Sequence, residues 1–244
     1  MSYNDYFDYL TKKEEENVER TRKELSEEFE LSKETLKMLY DCFKAIASSY
    51  SDKWSHSKKA AFFILPRLIM STKTSIELIT RGYYFDYEVV QRSLLESLAL
   101  LRLFSEDEEA AKEWLDREKL ELPKWKLVHY VTSSPNKKVR RLIDKIYSNL
   151  SDYVHSSSFA IISEWTEHFT RSKEALDFPK FNKSRIREEI STPPSLLIIA
   201  ALTTIFEEEL EESFRAGLID FLERVISKWI AEGLLDEHKT LLDY

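Results

Sequence analysis

Arg92 and Glu96 stand four residues apart in a run of leucines, and Tyr147, Ser151 and His155 repeat that spacing further along the chain. A separation of four puts side chains on one face of a helix. An imidazole gives or takes a proton near neutral pH, and a guanidinium clamps a phosphate. His155 is therefore the candidate acid or base, Arg92 the candidate phosphate clamp, and Glu96 the group that orients Arg92. Tyr147, Ser151 and Asn149 are the candidate hydrogen-bonding contacts to a ligand. A second use of the same residues stays open. Isolated charges are too costly to bury, so Arg92 and Glu96 must pair, meet other polar groups or line a cleft, and a pair would simply lock a bundle. His155 would then cap the end of its helix.

Other chemistries find no support in the residue pattern. No glutamate precedes a histidine by three residues, as di-iron bundles require, and no His-Glu-x-x-His is present. Asp152 with His155, and Glu164 with His168, each offer two ligands without the further partners a metal site needs. No metal and no cofactor are expected. Walker loops, nucleotide fingerprints and Gly-x-Ser-x-Gly elbows are missing as well. The basic run Lys137, Lys138, Arg140, Arg141 reads as a solvated face.

The elements that must position these residues follow from composition. Three glycines in 244 residues leave almost no place for the positive-φ turns of hairpins and phosphate loops, and Leu, Glu, Lys, Ala and Ser favour helices. The chain is predicted to be all-α, a multi-helix bundle with a charged N-terminal helix or arm over residues 1–31 and one helical domain over 32–244. Ser32 is the expected N-cap of a helix through Leu36, Leu39, Tyr40, Phe43 and Ile46. A segment from His56 to Arg81 is kinked or split by Pro66 and closed by Gly82. Residues 84–104 are apolar nearly all round in their second half, which predicts a buried central helix. Pro135 opens a helix that carries the His155 row. Residues 171–189 read as a long, mobile charged loop, 195–214 as a helix opened by Pro193 and Pro194, and an amphipathic helix follows Gly217.

A formal charge of −8 confines any nucleic-acid contact to a local surface. The single cysteine, Cys42, excludes an internal disulfide framework, and the start of the chain lacks the basic and apolar regions of a signal peptide. A cytoplasmic protein with no membrane partner is expected, since the longest apolar stretch falls short of the roughly 20 residues a spanning helix needs. Many charges with one glutamine, Gln91, match the composition of proteins from hot environments.

Residues 81–96 together with Tyr147 to His155 resemble an uncharacterised helical family of prokaryotes that pairs an Arg-x-x-x-Glu helix with a Tyr-x-x-x-Ser-x-x-x-His segment. More distantly the chain resembles HEPN helical bundles, many of them metal-independent ribonucleases of defence or toxin systems and others non-catalytic binding modules. Catalytic members carry an Arg within about two turns of the His. His155 matches that histidine, while Asn149, Leu150 and Ser151 occupy the preceding turns, so the resemblance leaves the cation to Arg92. It implies RNA or another phosphate-bearing ligand as partner. The alternative is an interaction or regulatory protein that binds a protein partner through the N-terminal helix. A homodimer through the C-terminal helix suits both.

Overall fold

The computed structural model describes residues 3–117, 179, 181–191 and 195–231. Every regular element among the described residues is a helix. These are α1 (Tyr3–Glu24), α2 (Ser26–Ser48), α3 (His56–Arg81), α4 (Tyr84–Glu106), α5 (Glu108–Arg117), α6 (Lys183–Ser191), α7 (Ser195–Ile205) and α8 (Glu212–Ala231). No strand occurs among them, as the scarcity of glycine requires.

The long helices follow a two-step repeat of buried positions. One seam of α3 runs through buried Ala61, Leu65, Leu68, Thr72, Ser75 and Ile79, with Ala60, Ile64 and Thr80 buried beside it, and that of α2 through Glu28, Ser32, Thr35, Leu39, Cys42 and Ile46. Alternating steps of four and three keep one seam facing inward over many turns, the pattern by which long helices pack side by side. That seam corrects the expected cap at Ser32. Ser32 is buried inside α2 with its hydroxyl donating to the Phe29 carbonyl at 2.8 Å. The break falls instead at Leu25, and helical bonding continues through it, from Leu25 N to the Thr21 carbonyl and from Phe29 N to the Leu25 carbonyl, both at 2.9 Å. No proline or glycine interrupts this stretch, so the inward seam carries the helix past a serine that would cap an isolated one.

Pro66 lies on the exposed side of α3, which runs through it as one helix. Gly82 ends α3 with a φ of 94°, and the amides of Gly82 and Tyr83 both donate to the Leu78 carbonyl, at 3.1 and 2.9 Å. This is the expected glycine cap. Residues 183–189 form most of α6 rather than a loop. Asn182 starts it by accepting from the Arg185 amide at 3.3 Å, and Ile186 is fully buried. The helix expected to reach residue 214 stops at Ile205, and α8 begins before Gly217, which sits inside it with open space where a Cβ would project.

Two compact units divide the chain, with α2, α3 and α4 each supplying residues to both. The described residues of the first unit are 3–34, 70–94, 179, 181–191. Its core joins Leu25, Ile79, Tyr84, Tyr87 and Ile186, with Leu78 and Phe181 against them. The second unit contains the described residues of 35–69, 95–117 and 195–231. There Phe62 meets Phe43, Tyr50 and Trp54, and Trp54 meets the buried Phe206 at 5.5 Å between ring centroids.

In the second unit Glu108, at the start of α5, closes the N-terminus of α3. Its carboxylate accepts the backbone amides of His56 at 2.6 Å and Ser57 at 3.0 Å, together with the Ser57 hydroxyl, and His56 Nδ1 lies 3.0 Å away. Burial works to raise this carboxyl, but the hydrogen bonds from Ser57 and His56 outweigh it and hold the pKa at about 2, against an ordinary 4.5. A carboxylate depressed in this way stabilises the fold above its unfolded pKa. The contribution is complete at neutral pH and is lost as pH falls from 4.5 toward about 2. Glu108 is half-exposed, so solvent screening keeps its worth near that of an ordinary cap, about 1 kcal/mol. Unfolding free energies of wild type and Glu108→Ala from urea titration should differ by that amount at neutral pH and converge across the acid window.

Candidate functional site

The first unit is tied together by polar side chains that reach across the chain. Asn17 of α1 is buried and donates both amide hydrogens, to the carbonyls of Arg81 at 2.9 Å and Pro179 at 3.0 Å. Glu14 receives Arg81 Nη1 and the Tyr83 hydroxyl, each at 2.6 Å. Burial pushes the Tyr83 hydroxyl up to about 12, and the bond to the Glu14 carboxylate adds to the rise. It stays a donor at any ordinary pH.

Basic residues of α6 and its approach meet acidic residues of α1, α2 and α4. Lys183 lies 3.4 Å from Glu24, Arg185 donates to Glu88 at 3.1 Å, and Arg187 donates to the buried Glu28 at 2.8 Å. The Tyr84 hydroxyl accepts the Asn182 amide at 2.7 Å.

A different kind of polar group lies on α3 and α4. Thr72 Oγ1, Ser75 Oγ and Gln91 Oε1 are buried and have no hydrogen-bond partner among the described residues. All three belong to the first unit, as does Arg92, whose residue surface is only 6 % exposed. Thr72 and Ser75 precede Gly82 by about seven to ten residues, and Gln91 and Arg92 follow it by about as many. At roughly 1.5 Å of rise per residue, the two sets lie at similar distances along their helices from the turn that joins them. Unmade hydrogen bonds cost stability, so three of them on consecutive helices of one unit set this stretch apart from an ordinary core. The hydroxyls can donate to an oxyanion, a guanidinium can clamp one, and Gln91 Oε1 can accept an N–H.

Arg92 is thus buried on α4, as the leucine run around it predicts, and Glu96 is half-buried one turn later. Both engage other groups. Tyr147, Asn149, Ser151 and His155 lie outside the described residues, as do the basic run at 137–141 and the two-ligand pairs at 152–155 and 164–168. Sequence reasoning missed Thr72, Ser75 and Gln91. Their signal was positional, since Thr72 and Ser75 occupy inward steps of the α3 seam where apolar residues stand above and below.

Among the described residues no three His, Cys, Asp or Glu side chains group into a metal site, and no helix is long and apolar enough to cross a membrane. Cys42 is fully buried, which pushes its thiol up to about 12 and leaves it unreactive. In the second unit Glu209 accepts Lys58 Nζ at 2.7 Å through one carboxylate oxygen, while the other is buried with no partner among the described residues. No protein-family model, no curated protein and no solved structure matches this chain.

Proposed function

We propose that this protein is a HEPN-like helical component of a defence or stress system that binds RNA or another phosphate-bearing ligand through Arg92 and cuts RNA without a metal. The observation that carries this reading is the burial of Arg92 in the same unit as the unpaired Thr72, Ser75 and Gln91 groups. In the proposed chemistry Arg92 neutralises the phosphate and Glu96 orients Arg92. His155 moves the proton, and Tyr147, Ser151 and Asn149 hold the ligand. The reading takes the protein as cytoplasmic, with α8 as the surface of a homodimer and a charged composition suited to a hot environment.

A second reading is a non-catalytic interaction or regulatory protein whose polar residues lock its helices, with the N-terminal helix as the surface for a protein partner. The ties from Asn17 to Arg81 and Pro179, and from Glu28 to Arg187, favour it, because each spends a polar group on holding elements together.

Cleavage of mixed cellular RNA in the presence of chelator separates the two. Wild type should cut, while His155→Ala and Arg92→Ala should lose activity by about two orders of magnitude or more, as expected when an acid–base group or an electrostatic clamp is removed. His155→Ala should melt within a few degrees of wild type. An inactive wild type, or a His155→Ala protein as active as wild type, would remove the catalytic reading and leave the interaction protein.

A further inference from the structure

Apart from Lys58, which is bound to Glu208 and Glu209, residues 35–69 carry four lysines and one arginine against two aspartates and no glutamate, in a chain whose formal charge is −8. The same segment, all of it in the second unit, exposes three aromatic rings: Tyr40 at 51 %, Tyr50 at 42 % and Phe63 at 54 % of their surface. Buried rings serve a core, but three half-bare rings along a net-basic segment of an acidic protein call for another account.

We infer that this surface of α2 and α3 is a binding platform for single-stranded nucleic acid, with RNA as the ligand to test. The cations and rings alternate along each helix. On α2 the order is Lys37, Tyr40, Lys44, and on α3 it is Lys59, Phe63, Arg67, with spacings of three or four that keep each row on one face. The two helices meet here, since Phe43 of α2 stacks on Phe62 of α3 at 5.7 Å, and Phe62 in turn touches Phe63 and Tyr50. Bases stack on exposed rings while cations on both sides meet the backbone phosphates, the combination that holds single strands without reading sequence.

Lys37 and Lys44 bind the two oxygens of Asp41 at 2.6 and 2.9 Å, and Lys44 Nζ stands 5.0 Å from the centre of the Tyr40 ring. Each ammonium has three N–H donors, so one spent on Asp41 leaves two for phosphate oxygens. Lys59 donates to the Asp52 carbonyl at 2.7 Å, which carries no charge to neutralise it. Lys58 is committed elsewhere, to Glu208 and Glu209, and takes no part. A lipid surface fits less well. A helix lying on a membrane separates an apolar face from a basic one, whereas these rows mix cation and ring on the same face.

The inference goes beyond the Arg92 reading and does not rest on it, because a strand can be held on α2 and α3 whether or not it is cut. Its test is fluorescence anisotropy of the full chain with a labelled single-stranded RNA of about 15 nucleotides, at about 50 and 200 mM salt. Wild type should bind, and more weakly at the higher salt. Tyr40→Ala and Phe63→Ala should each weaken binding by about fivefold or more, the least expected from losing one stacked base. Both rings are half-exposed, so the circular-dichroism melt of each variant should match wild type. Three results would overturn the inference: no binding at low salt, ring variants that bind like wild type, or binding to phosphatidylserine vesicles without binding to RNA.

Discussion

Asn17→Ala should lower the melting temperature by roughly 4 to 16 °C, the largest loss expected from any single polar side chain described in the first unit. Asn17 is buried and donates to two carbonyls, those of Arg81 and Pro179, that are remote from it in sequence and from each other. Alanine removes both donors and replaces neither. An acceptor left unpaired in a buried place costs about 1 to 3 kcal/mol, and the Arg81 carbonyl is only partly buried, which sets the pair at about 2 to 4 kcal/mol. For a chain of this size each kcal/mol shifts the midpoint by about 2 to 4 °C. Asn17→Asp provides the sharper comparison, because it keeps the shape but turns a donor pair into acceptors facing two carbonyl oxygens. It should melt below Asn17→Ala. Equal melting of wild type and both variants would mean that the two bonds carry no net stability.

What was legible in the sequence depended on whether its cause was local. The glycine cap at Gly82 needs only a residue that tolerates positive φ, and α4 needs only its own run of leucines, so both were readable. Arg92 stood out for the same reason, as a charge among apolar neighbours. The helix at Lys183–Ser191 was hidden because its charges read as solvated, although Lys183, Arg185 and Arg187 are matched to Glu24, Glu88 and Glu28 far away along the chain. Ser32 misled because a good N-cap residue can equally sit inside a helix when a buried seam runs past it. Thr72, Ser75 and Gln91 carry no sequence mark of being unpaired. That property appears only when helices pack, since a hydroxyl on a helix normally finds water or its own backbone.

Those three residues lead to the second large effect, which has the opposite sign. Thr72→Val and Gln91→Leu, combined, should raise the melting temperature by roughly 4 to 16 °C. Each change removes a buried oxygen that has no partner and puts a group of similar size in its place, so about 1 to 2 kcal/mol is recovered per site. A sequence that keeps such groups gives up stability that single substitutions would restore, and a functional site is one reason for doing so. The thermal result is therefore to be read beside activity. If these polar groups, which share a unit with Arg92, receive the phosphate-bearing ligand, the double variant should be the more stable protein and should lose RNA cleavage by about tenfold or more, because an apolar lining offers a ligand oxygen no donor. If cleavage is kept while stability rises, Thr72 and Gln91 lie outside the ligand's reach and Arg92 acts without them. A double variant that melts lower than wild type would show that at least one of the two oxygens has a partner in solution, and would weaken the observation on which the Arg92 reading stands.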